Sequence, residues 1–220
     1  MVYRRTERGD ERYLRRRAQL IAAARTLFTE KGYDETTMQN VVREAGTSIG
    51  NCYFYFLNKE ALLQVVIQDI IADIWTSADE ALQDVPSGIK KLALIFYQSI
   101  TVMLENEATG KLMLMALSLP SVRNAVFEDY RKRVRQLIDE NPGLFVDEDV
   151  DLKINAAQGA AVALIEMILL DGMEYEPSKI GYFLARWNLQ AIGLPQNAVE
   201  DALDNLKRVQ EQRKQAVAVK

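Results

Sequence analysis

Apolar residues recur at spacings of three and four along nearly the whole chain, and no stretch shows the alternation of a half-buried strand. That pattern predicts an all-α protein. The longest regular run lies at 59 to about 82, where Leu62, Leu63, Val66, Ile67, Ile70, Ile71, Ile74 and Trp75 form one stripe of an amphipathic helix. Further helices are expected at about 88–106, 110–119, 121–141, 149–171, 177–192 and 197–215. Pro86, Ser87 and Gly88, then Asn141, Pro142 and Gly143, then residues 172–177 supply the breaks. Whether 207–220 docks as a helix or frays as a charged tail stays open.

Ahead of the long helix, residues 36–62 read TTMQNVVREAGTSIGNCYFYFLNKEAL, two short helices joined by a glycine turn and followed by aromatics. Thr36 is expected to cap the first helix, with Gln39 reaching back at the capping-box spacing. Met38, Val41, Val42 and Ala45 form its apolar face, and Gly46 ends it in a left-handed conformation. Ser48 is placed to cap the second helix, 49 to about 55. So short a turn requires a sharply angled pair, the geometry of a helix-turn-helix.

Gly50 sits inside the second helix, where glycine costs about 1 kcal/mol relative to alanine. Close approach of the backbone to a duplex would account for it, and so would a tolerated weak helix. Asn51 offers an amide that can pair two-pronged with adenine, and Ile49 can lie against a thymine methyl. Phe54 and Tyr55 fit either contact with DNA or packing between helices. Cys52, Phe56 and part of Tyr53 face inward.

Taken with the helical run AQLIAAARTLFTEKGYDETT, the segment AGTSIGNCYFYF and the following NKEALL resemble the TetR-type transcriptional repressors over about residues 14–64. The resemblance implies that Thr37, Thr47, Ser48, Tyr53 and Lys59 hold phosphates, and that Ile49, Gly50, Asn51, Phe54 and Tyr55 lie on the recognition helix. Two positions depart from the family pattern: Ile49 stands where a polar or basic residue is frequent, and Cys52 where a bulkier apolar one is. The expected fold is an N-terminal three-helix DNA-binding domain at 1–60, followed by a larger helical effector-binding and dimerisation domain at 61–220.

Charge supports that division. The 220-residue chain carries a formal net charge of −4, which by itself argues against nucleic acid. Yet residues 1–60 hold eleven Lys or Arg against eight Asp or Glu, net +3, which leaves −7 on the remainder. Arg4, Arg5, Arg8, Arg12, Arg15, Arg16 and Arg17 concentrate the positive charge ahead of the first helix, as an arm over phosphates or as a solvated tail. No signal peptide is recognisable, and the longest apolar stretch, 156–170, is interrupted by Gln158 and Glu166 and is shorter than the roughly 20 residues of a membrane span. A cytoplasmic protein with no membrane partner is expected. The single cysteine excludes an internal disulfide and reads as a small core hydrophobe.

At 149–192, Ala156, Ala157, Gly159, Ala160, Ala161 and Ala163 give one helix an apolar surface nearly all round, and its companion carries Tyr182, Phe183, Leu184 and Trp187. Such a helix must be covered on more than one side, and a two-fold partner is the simplest cover. The family resemblance implies the same, a four-helix bundle between two subunits. In the centre, Trp75, Phe96, Tyr97, Met103, Met113, Met115, Phe127 and Tyr130 are aromatic or pliable groups that could line a cavity for a small, largely apolar effector, though each also suits plain core packing. Glu166 is expected either to select a cationic or hydrogen-bonding effector or to pair with a base across the dimer.

The chain has no histidine, no glycine-rich phosphate loop and no metal-ligand spacing. No cofactor and no metal are expected. The reading is a homodimeric repressor that binds a palindromic double-stranded operator and is released by a small molecule; the rivals are a helical enzyme and a protein-binding dimer without sequence-specific DNA binding.

Overall fold

The computed structural model describes residues 7–83, 85, 88–140 and 149–218, with the backbone alone for 7–9, 214 and 216–218. The breaks expected at Pro86, Ser87 and 141–143 and the arginines Arg4 and Arg5 lie outside the described residues, as does the side chain of Arg8. Ten α-helices and no strand are found among those described: α1 (Glu7–Glu30), α2 (Met38–Glu44), α3 (Ile49–Tyr55), α4 (Lys59–Leu82), α5 (Gly88–Glu105), α6 (Glu107–Leu117), α7 (Pro120–Asp139), α8 (Val150–Leu169), α9 (Pro177–Ala191) and α10 (Gln196–Ala218).

Local chemistry sets the boundaries. Asn58 caps α4 by accepting from the Ala61 N–H at 2.8 Å, and Asn106 caps α6 by accepting from the Thr109 N–H at 3.0 Å. The second cap starts α6 three residues before the expected 110. At the front, α1 begins by Glu7, so Arg12, Arg15, Arg16 and Arg17 lie within the helix and not on an arm ahead of it.

Four helices make the head. Leu20, Ala24, Leu27 and Phe28 of α1 pack with Val41 and Val42 of α2, Cys52 of α3, Phe56, and Leu62, Leu63, Val66 and Ile67 of α4. The same core continues into Leu112, Met113 and Ala116 of α6 and Val122 of α7. A boundary at 60 therefore divides the chain order but not the packing, because the first half of α4 is built into the head and α6 closes it from the other side.

The body is organised around α5, whose Leu92, Ile95, Phe96 and Ile100 are fully covered. Helices α9 and α10 pack along one side of it, and α6, α7 and α8 against others. At Gly181 the Thr101 and Tyr97 side chains of α5 lie so close to the α9 backbone that an added Cβ would be 2.5 Å from Thr101 Cγ2 and 2.6 Å from the Tyr97 ring. The C-terminal helix docks: Val199, Ala202, Leu203 and Leu206 are buried, and Arg213 donates to the Ser77 carbonyl at 3.3 Å. That resolves the tail as a packed helix to at least Arg213.

By length and mean hydropathy, α4 and α8 would each suffice to cross a membrane, which the interrupted stretch at 156–170 did not suggest. Both are instead partly built into the helical core, through Leu62 to Ile70 in α4 and Ile154, Ala157, Ala161 and Ile165 in α8.

Candidate nucleic-acid interface and effector cavity

The α2–α3 turn is fixed by its own hydroxyls. Thr37, not Thr36, caps α2: its Oγ1 accepts from the Asn40 N–H at 3.2 Å, while Asn40 Oδ1 accepts from the Thr37 N–H at 2.9 Å. The expected pairing of Thr36 with Gln39 is thus displaced by one residue. Thr36 is fully buried, and its hydroxyl is turned toward the Gly32 and Leu27 carbonyls, at 2.8 and 3.3 Å, where it closes the end of α1. Two adjacent threonines gave the sequence two equivalent caps, and burial chose between them. Gly46 adopts φ +60°, the left-handed turn that its position predicted.

Beyond the turn, Ser48 Oγ accepts from the Asn51 N–H at 3.3 Å, and Asn51 Nδ2 donates to Thr47 Oγ1 at 3.0 Å. Asn51 is exposed and held at one N–H, which leaves its Oδ1 and second N–H as the donor–acceptor pair that an adenine edge takes. Thr37, Ser48, Gly50, Tyr53 and Phe54 are exposed beside it, and Thr47 is half-buried. A Cβ at Gly50 would meet nothing within 4 Å, so nothing inside the fold requires glycine there.

Three of the expected contact residues are placed differently. Ile49 and Tyr55 are half-buried against the head core, and Tyr55 lies 4.8 Å from the Tyr13 ring. Both are turned inward because the first and last turns of so short a helix must cover the neighbouring elements. Lys59, expected on a phosphate, donates to the carbonyls of Tyr33 (2.9 Å), Thr36 (3.0 Å) and Asp34 (3.4 Å), with its ammonium 4.2 Å from the Tyr33 ring centroid. It ties the α1–α2 loop to the start of α4. Tyr13 was missed by the sequence reading: it meets Phe54 and Tyr55 and so joins α1 to α3. An aromatic embedded in an arginine run was the available signal. On the same helix Arg12, Arg15 and Arg16 line a depression with Gln19, whereas the Arg17 guanidinium lies 5.6 Å from the Phe56 ring centroid.

A separate cavity lies between α5, α6, α7 and α8, with a volume of about 100 Å³. Met103, Met113, Phe127 and Tyr130 line it, together with Gly110, Gln158 and Ile165. Phe96 and Tyr97 do not; they are core residues of α5, and burial, with Tyr182 and the carboxylates of Glu105 and Glu176 nearby, pushes the Tyr97 phenol up to about 12. Glu166 is exposed on the outer side of α8, away from this lining, because residues 158, 161, 162 and 165 take the inner side. Trp75 lies outside as well, in a groove of about 610 Å³ between α4 and α7. There the Arg133 guanidinium sits 4.4 Å from the Trp75 ring centroid and 2.9 Å from Asp79. Met115 packs on the head core. Among the described residues no cluster of His, Cys, Asp or Glu could hold a metal ion.

Residues 20–66 match the family model described as "Bacterial regulatory proteins, tetR family". Residues 20–66 therefore carry a TetR-type DNA-binding region. Among curated relatives it is 26% identical over 127 residues to the transcriptional regulator HbdR of Aromatoleum sp., covering 57% of this chain and 56% of that one. It is 29% identical over 84 residues to the transcriptional repressor KstR2 of Mycolicibacterium smegmatis, covering 38% and 41%. The chain spans about half the length of the curated relatives it matches. In fold, the chain is similar to the solved structure of RolR in complex with resorcinol, with a TM-score of 0.71 at 22% identity over 88% of this chain and 95% of that one. It is also similar to FadR of Bacillus subtilis in complex with stearoyl-CoA, with a TM-score of 0.62 at 17% identity, covering 79% and 98%. HbdR and KstR2 are by name a transcriptional regulator and a transcriptional repressor.

Proposed function

We propose that this TetR-type protein is a cytoplasmic homodimeric repressor that binds a palindromic double-stranded operator and leaves it when a small molecule fills the α5–α8 cavity. The observation that carries the DNA reading is the α2–α3 face. Its turn is locked by Thr37, Thr47 and Ser48, Asn51 presents an oriented amide, and Gly50 leaves the backbone open where a duplex would approach. Thr37, Thr47, Ser48 and Tyr53 would hold phosphates, with Arg12, Arg15 and Arg16 flanking them, and Gly50, Asn51 and Phe54 would face the bases. Ile49 and Tyr55 would position that helix from behind, and Lys59 would brace the loop before it.

Dimerisation is supported by the outer side of α8 and α9. Leu152 and Leu170 are 68% and 62% exposed, Phe183 55% and Trp187 41%, and the small residues Ala156, Gly159 and Ala163 lie between them on α8. A second copy would cover this apolar stripe with its own α8 and α9. Two recognition helices related by a two-fold would then reach successive major grooves roughly 34 Å apart.

Release would run through α6. Met113 lines the cavity and also belongs to the head core, so a ligand against it acts on the packing beneath α1 and α4. Arg25 of α1 grips Asp69 and Asp73 of α4, so the two helices would move together. A hundredfold loss of DNA affinity requires an effector preference of about 2.7 kcal/mol for the released state.

The test is selection of binding sites from random duplex DNA at near-physiological salt, since affinity for DNA falls steeply with ionic strength. A palindrome with half-sites about one helical turn apart is the expected result, and the double variant Asn51→Ala, Tyr53→Ala should lose it while remaining dimeric. Trp187→Glu should convert the dimer to monomers in sedimentation and weaken operator binding at least about a hundredfold. Full-affinity binding by the double variant would overturn the assignment of the reading face. A stable dimer in Trp187→Glu would overturn that of the interface.

A further inference from the structure

We infer that the α5–α8 cavity selects a neutral single-ring molecule bearing a hydrogen-bond donor, and that Gln158 is the residue that selects it. The inference rests on the reading of this cavity as the effector site and adds the chemistry of its ligand.

Gln158 is 95% buried, by its 5% exposure, and lines the cavity from α8. Its Nε2 donates to the Phe127 carbonyl at 2.9 Å, and its buried Oε1 has no partner. The amide cannot turn over to relieve this, because Oε1 would then face the Phe127 carbonyl oxygen. What the cavity presents is therefore an acceptor. Among the other polar groups of the lining, the Ser99 hydroxyl donates to the Phe96 carbonyl at 2.8 Å. Burial drives the Tyr130 phenol well above its ordinary value, so it remains neutral.

A ligand that completes Gln158 must consequently donate to its Oε1. No charged side chain lines the cavity, so an ion would enter without a counter-charge, at high desolvation cost. The volume of about 100 Å³, smaller than the apolar cavity of about 150 Å³ that accommodates benzene, limits the guest to one ring at most. Phenols and anilines meet all three conditions; carboxylates, quaternary amines and long acyl chains fail at least one.

The probes are phenol, toluene and anisole, titrated calorimetrically into the full chain without DNA, with Gln158→Met as the variant that keeps the volume and removes the acceptor. The ratio of phenol to toluene affinity cancels the hydration difference between the two probes when compared across the two proteins. It should fall at least about fivefold in Gln158→Met; any smaller fall overturns the selector role. The wild-type protein alone gives a second reading, in which phenol binds and anisole, whose oxygen can only accept, binds at least about fivefold more weakly. Equal binding of the two, or binding of neither, overturns the ligand class. Phenol binding that leaves operator affinity unchanged would uphold the ligand class and overturn the effector reading.

Discussion

The head and the body of this protein satisfy their polar groups to different degrees. In the head, the hydroxyls of Thr36, Thr37, Thr47 and Ser48, the amide of Asn51 and the ammonium of Lys59 all have partners within the head itself. In the body, Gln98 Oε1, Gln158 Oε1, Asn188 Nδ2 and Gln210 Nε2 are buried without one, and all the unpartnered buried side-chain atoms found among the described residues lie there. An unsatisfied buried polar atom costs about 1–3 kcal/mol, so the body retains chemistry that its own fold does not complete. A reading surface has to keep one shape against a repetitive duplex, and is rigid by self-bonding. A region that answers a ligand needs contacts that only the ligand can finish.

Backbone approach separates the two regions most sharply. In the body, Gly181→Val would force a side chain into Thr101 and the Tyr97 ring, and thermal unfolding should show a loss of about 3 kcal/mol. Little loss would mean that α5 and α9 can separate, and that the body is looser than its packing implies. In the head, Lys59→Ala should cost roughly 1.5 kcal/mol by freeing three carbonyls, and should lower DNA affinity only as far as it unfolds the α1–α2 loop. A loss of DNA binding with unchanged stability would return Lys59 to the phosphates. The smallest effect should come from Gly50→Ala. With open space at its Cβ, it should stabilise the free protein by up to about 1 kcal/mol while weakening operator binding. Stabilisation with no effect on DNA would reduce Gly50 to a tolerated weak point of α3.

Legibility followed the same divide. The helix-turn-helix could be read closely because its determinants are local: Gly46 in a left-handed turn, Ser48 one residue before α3, and Asn51 three residues on are set by spacing along a few turns of chain. What failed there were choices between near-equivalent neighbours. Thr36 and Thr37 are both capable caps, and only the burial of Thr36 under α1 separates them. Lys59 is a cation facing either phosphate or carbonyl, and the spacing along the chain does not show that the Tyr33 and Thr36 carbonyls converge on it. In the body, the aromatic and methionine content announced a cavity, but membership was decided by helix rotation about α5. That placed Met103 and Tyr130 in the lining, Phe96 and Tyr97 in the core, Trp75 in an outer groove and Glu166 on the outside.

By itself, then, the sequence determined the all-helical class, the reading head and the apolar stripe on α8 and α9, because hydrophobic period, caps and glycine turns act over distances of a few residues. Only the tertiary structure decided the role of Gln158, the docking of α10 and the joining of head to body through Met113. Each depends on which faces of helices distant in sequence meet, and no local pattern encodes that.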